Sequence, residues 1–147
     1  MLDFEIFSAA LRHVFADFIG LKDLTSELIP APPEKFQHVT AKIDLSGDVA
    51  GTLWLNISDP GIKLAMEKLQ IPNSDEDRML MDTAGELLNI IVGSAQRNSQ
   101  DRYDFSLPSA YKGDGYPVRF EENSQKTTRR FIFENFEAIL ILEQLPT

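Results

Sequence analysis

Across residues 39–57, apolar side chains fall on every second position on both sides of Ser46-Gly47-Asp48. Val39, Ala41, Ile43 and Leu45 precede that tripeptide; Val49, Gly51, Leu53, Leu55 and Ile57 follow it. A period of two suits a strand with one face against a core, and turn residues between two such runs close them into a hairpin. The rest of the chain must therefore cover one face of a sheet. Phe4, Phe7, Leu11, Val14, Phe15 and Phe18 recur at helical spacing, with Gly20 as a stop. Residues 22–37, broken by Pro30, Pro32 and Pro33, read as a surface connection.

Ser58-Asp59-Pro60 offers a capping side chain and a proline for the first turn of a short helix striped by Ile62, Ala65, Met66 and Leu69. Pro72 and Asn73-Ser74-Asp75 end it and open a longer helix, about residues 75–98. Tyr103, Phe105 and Leu107 alternate as a strand that Pro108 ends. A loop with Gly113 and Gly115 leads to a weaker strand near Val118 and Phe120. Phe131 and Phe133, then Ala138, Leu140 and Leu142, read as two strands joined at Glu134-Asn135-Phe136. The expected fold class is α+β: a largely antiparallel sheet of about six strands with helices packed on one face.

A chain of 147 residues with 43% hydrophobic and 25% charged residues has the length and composition of one globular domain, expected over 1–147. Cysteine is absent, which removes disulfides, thiolate zinc sites and cysteine nucleophiles. His13 and His38, far apart in sequence, do not make a metal site, and none is expected. A formal charge of -9 repels nucleic acid and acidic lipid, so neither is an expected partner. No stretch has the apolar length of a membrane span, and the first residues lack the pattern of a secretory leader. The expected location is the cytoplasm.

The long helix carries the chemistry. At about 100° per residue, Leu80, Ala84, Leu87, Leu88, Ile91 and Ala95 form one buried stripe. Asp82, Glu86, Asn89, Gly93 and Gln96 gather on the other side, with Ile90 beside them. A solvated face usually carries good helix formers. Here Gly85 and Gly93 flank Glu86 and Asn89, and each glycine costs about 1 kcal/mol relative to alanine. Glycines admit another backbone, a carboxylate attracts a cation, and a carboxamide both donates to and accepts from water. Such a pair, at i and i+3, suits hydrolysis of an already activated phosphoryl group by a positioned water.

Asp82-Thr-Ala-Gly-Glu86-Leu-Leu-Asn89, followed by Gly93, resembles the signature of the CheC/CheX chemotaxis phosphatases. The hairpin Ile43-Asp-Leu-Ser-Gly-Asp-Val-Ala-Gly-Thr-Leu-Trp54 and the order of elements are similar as well, and a single motif copy points to a CheX-like member. The resemblance implies a phosphatase acting on the aspartyl phosphate of a phosphorylated CheY-like response regulator. Glu86 would engage the receiver lysine and Asn89 the attacking water, as the catalytic pair. Asp82, Ile90 and Gly93 would meet the partner. It implies no cofactor of the chain's own, Mg2+ being supplied by the receiver, and it implies a homodimer. Two features depart from the family pattern: a short interval between Asn89 and Pro108, and the strongly acidic composition. The alternative is a module of the same fold that docks a chemotaxis or receiver protein without turnover.

Other residues read more plainly. Trp54 is expected to pack under a helix on the sheet's second face. The Lys126-Thr-Thr-Arg129-Arg130 cluster is expected to guard a strand edge, and Lys112-Gly113-Asp114-Gly115 to form a turn.

Overall fold

The computed structural model describes residues 2–72 and 76–146. Helix α1, Phe4–Val14, starts at Asp3, whose side chain accepts from the Glu5 amide, and runs into a wider π-helical turn, Phe15–Ile19. Gly20, at φ 78°, ends it in the left-handed conformation, as expected of a stop glycine. Strands β1 (Thr25–Ile29), β2 (Phe36–Gly47) and β3 (Gly51–Ile57) follow, then α2 (Asp59–Lys68) and α3 (Asp77–Arg97). Strands β4 (Tyr103–Phe105), β5 (Ser109–Tyr116), β6 (Gln125–Ile132) and β7 (Glu137–Gln144) complete the chain. The proposed start of the long helix at Asn73-Ser74-Asp75 lies outside the described residues.

The sheet is antiparallel throughout, in the order β1-β6-β7-β3-β2, with β4 and β5 sharing the far edge of β2. The hairpin β2–β3 keeps its alternation: Val39, Ala41, Ile43, Leu45, Leu53, Leu55 and Ile57 are buried in the main core beneath the helices. Each such side chain, fully buried, contributes roughly 1.5–3 kcal/mol relative to exposure. The turn between Phe133 and Phe136 is closed by a backbone hydrogen bond of 2.9 Å, and the two rings stack at 4.5 Å.

Several expectations are corrected. The proline-flanked connection contains β1, which pairs along β6 from Thr25↔Ile132 to Ile29↔Thr128; its exposed, poorly alternating residues gave no periodic signal. Residues 109–116, expected to be a loop, form β5 despite Gly113 and Gly115, because β2 extends far enough to pair with them. Val118 and Phe120 lie in irregular chain. They cover the sheet's second face, where Phe36, Trp54, Ile139 and Ile141 form a separate cluster. Trp54 therefore packs under this loop rather than a helix, edge-on to Phe120 at 5.4 Å. Ser58 caps α2 by position, without a side-chain cap bond. The basic cluster sits on β6, an interior strand, where Arg129 and Arg130 pair with Glu5, Glu27 and Glu137.

The far edge carries the most consequential difference. Phe105 pairs with Leu45 and Ser109 with Lys42, so three residues, 106–108, oppose two on β2. The extra residue is a bulge, and it inverts the alternation. Tyr103 and Phe105 turn toward the main core, but beyond the bulge Pro108 and Ala110 take that side. Leu107, expected as the third inward residue of a strand, is 88% exposed.

Candidate functional site

Helix α3 is laid across the sheet by its apolar stripe: Leu80, Ala84, Leu87, Leu88, Ile91 and Ala95 are all buried, as their spacing requires. Its first turn is braced from below. Lys112 on β5 lies 3.6 Å from Asp77 and 3.9 Å from Asp59, joining the starts of α3 and α2 to the sheet edge. Asp77 in the first turn also complements the helix dipole.

The reverse face is left to solvent. Asp82 and Glu86 are exposed, while Asn89, Ile90 and Gly93 are half-buried. Among the described residues, Glu86 and Asn89 make no side-chain hydrogen bond or ion pair, so both heads are free to meet a partner. Side chains at i and i+3 on a helix stand about 5–6 Å apart at Cβ, close enough to act on one incoming group. Asp82 pairs loosely with Arg78 at 3.9 Å, an exposed contact of little energetic weight. Ile90 rests against the margin of the core. A Cβ placed on Gly93 would meet only the Arg97 guanidinium, at 3.9 Å. That position is open to a neighbouring molecule.

Two members of the strip serve the chain itself. Gly85 is buried, and a Cβ there would stand 3.2 Å from the Pro108 ring, so this glycine admits the chain's own edge loop rather than another protein. Gln96 donates to the Tyr103 carbonyl at 2.7 Å and anchors β4. The seating of Pro108 creates a depression of about 380 Å³, lined by Met81, Asp82, Gly85, Glu86, Pro108 and Ala110. Its floor is apolar and its wall carries two carboxylates, a combination suited to the stem and ammonium of a lysine. The sequence offered Pro108 as a strand end and as the proline that follows the motif, but not its seating on Gly85. Among the described residues, no group of three or more His, Asp or Glu is placed to hold a metal ion. No helix among them is long and apolar enough to cross a membrane.

This architecture, an antiparallel sheet with three helices on one face, is that of CheC/CheX-like proteins. The fold is similar to that of a CheC-like superfamily protein from Shewanella sp. PV-4, with TM-score 0.81, 20% identity and 97% of each chain covered. It is also similar to the chemotaxis protein CheX from Desulfovibrio desulfuricans, with TM-score 0.81 and 16% identity over 96% of this chain and 97% of that one. A third similar structure belongs to the CheX–CheY–BeF3–Mg2+ complex of Borrelia burgdorferi, with TM-score 0.74, 17% identity and 100% of each chain covered. No curated protein gives a significant match. The family model "Chemotaxis phosphatase CheX" matches residues 39–131. The chain belongs to the CheX chemotaxis phosphatase family.

Proposed function

We propose that the chain hydrolyses the aspartyl phosphate of a CheY-like receiver domain, with Glu86 and Asn89 as its catalytic pair. The observation that carries this reading is the pair itself: two unengaged polar heads on one helix face, beside a depression walled by carboxylates. Family membership and the likeness to the Borrelia complex support a receiver as the substrate.

In this mechanism Glu86 takes the receiver's lysine and fixes the docking register. Asn89 orients a water in line with the phosphoryl group. A P–O bond forms to that water as the bond to the receiver aspartate breaks; the aspartate leaves as carboxylate and inorganic phosphate is released. The acyl phosphate is already reactive, so positioning supplies the acceleration and no strong base is needed. The receiver brings its own Mg2+. A homodimer belongs to the same reading. The long terminal strands are interior, so the edges open to a second copy are β1 and the β4/β5 side. Sedimentation velocity decides the oligomeric state.

The test is phosphate release from an acetyl-phosphate-loaded CheY-like receiver. Asn89→Ala is expected to lower kcat by about a hundredfold or more, as loss of a transition-state contact does. Glu86→Ala should raise KM and lower kcat together. Turnover at the parent rate in both variants defeats the assignment, and binding without turnover by the parent chain establishes the docking module instead.

A further inference from the structure

The edge bulge leaves one large apolar side chain in the solvent beside the proposed site, and it does so rigidly. Leu107 is 88% exposed, the most exposed of the large hydrophobic residues described. Its neighbours on both sides are fixed. The Ser106 amide donates to the Asp44 carbonyl at 2.9 Å, and the Asp44 amide donates back to Ser106 Oγ at 3.0 Å. Ser106 Oγ in turn donates to the Leu107 carbonyl at 2.9 Å. On the other side the Pro108 ring is seated on Gly85, where even an alanine Cβ would crowd it at 3.2 Å. The backbone that carries the leucine is thus already ordered, so binding need not fix the loop, only the side chain's rotamer.

We infer that Leu107 is an apolar anchor for the receiver domain whose phosphoryl group is presented to Glu86 and Asn89, an inference that rests on the proposed function. Position and charge choose this occupant. Leu107 adjoins Pro108, and Pro108 lines the same depression as Glu86, so the leucine stands one residue from that depression. Asp82 and Glu86 wall that depression. A partner that brings a lysine is attracted there. A second copy of this chain is not: a twofold contact would set these carboxylates against their own images, in a chain of net charge -9. A central apolar anchor beside a charge pair is also how binding energy is commonly concentrated at interfaces. Leu107 touches no reacting atom in this scheme; it positions the receiver.

The experiment measures affinity and turnover separately, in the parent chain, Leu107→Ser and Leu107→Met. Affinity is read with a CheY-like receiver activated by beryllofluoride and Mg2+, and turnover with the phosphorylated receiver. Leu107→Ser is expected to weaken binding about tenfold or more and to raise KM while kcat changes little. Leu107→Met should recover most of the affinity, and the circular dichroism and melting temperature should stay at parent values, since an exposed side chain adds little to the fold. Equal affinity and KM for parent and Leu107→Ser overturn the anchor while leaving a demonstrated phosphatase standing. Weakened binding in a chain with no turnover sinks the phosphatase reading and keeps the anchor. No binding by the parent chain removes both, and a fall in sedimenting mass on Leu107→Ser replaces the receiver with a second copy.

Discussion

Gly85 and Gly93 stand eight residues apart on one helix and do different work. Gly85 makes room for Pro108; Gly93 faces open space. Gly93→Ala should gain helix propensity without a clash, stabilising the protein by about 1 kcal/mol and raising its Tm by roughly 2–4 °C. Gly85→Ala gains the same propensity but presses on Pro108, so its net gain should be smaller or negative. Thermal melts of the two variants check the order. A larger gain for Gly85→Ala would contradict the packing described. The strip around Glu86 stood out in the sequence because Gly85, Asn89 and Gly93 break local rules: poor mid-helix choices persist where something other than helix stability selects them. The role of Gly85 was not legible, since its partner lies more than twenty residues away and arrives only through the β4–β5 bulge.

At the element scale, the segment from β5 to β6 acts as a strap over the second face of the sheet, and Glu143 holds it. This carboxylate, on β7 and only 2% exposed, accepts from the Glu121 amide at 2.6 Å, from Ser124 Oγ at 2.9 Å and from Trp54 Nε1 at 3.3 Å. Removing it leaves the buried Trp54 indole N–H without an acceptor, at about 1–3 kcal/mol, and frees the two part-buried donors of the strap. Glu143→Ala is therefore expected to lower the Tm and to loosen the strap. Trp54 is the chain's one tryptophan, so its emission should shift to the red as Phe120 lifts away. An unshifted spectrum with a parent Tm would show that the strap stays down without this carboxylate. Sequence patterning identified the two strands beneath but not the strap. Val118 and Phe120 alternate as a strand would, yet no neighbouring strand is free to pair with them.

For the whole molecule, stability at high pH is expected to depend on Tyr103. Burial, reinforced by the nearby Asp101 charge, raises its phenol from 10.0 to about 12. The fold thus keeps the neutral phenol. Its contribution is intact below pH 10 and is lost as pH rises toward about 12, where the unfolded chain has released a proton that the folded one still holds. Tyr116, raised in the same direction by burial, adds to that slope. Denaturant titrations from pH 9 to about 12 should show Tyr103→Phe losing less stability than the parent. At neutral pH the variant should fold at least as well, because the Tyr103 hydroxyl is buried without a hydrogen-bond partner. A parallel pH dependence in both proteins would contradict this.

What the sequence determined by itself is whatever repeats with the period of one element. The period of two set the hairpin's faces, and the period near 3.6 set both the buried stripe of α3 and the polar strip opposite it. Only the tertiary structure decided which strands lie at the edges, that β1 completes the far side, and that a single extra residue opposite β2 turns Leu107 outward and Pro108 inward. The physical reason is reach. Periodicity reports the burial of one segment against an average interior, whereas strand order and bulges depend on hydrogen bonds between segments distant in the chain.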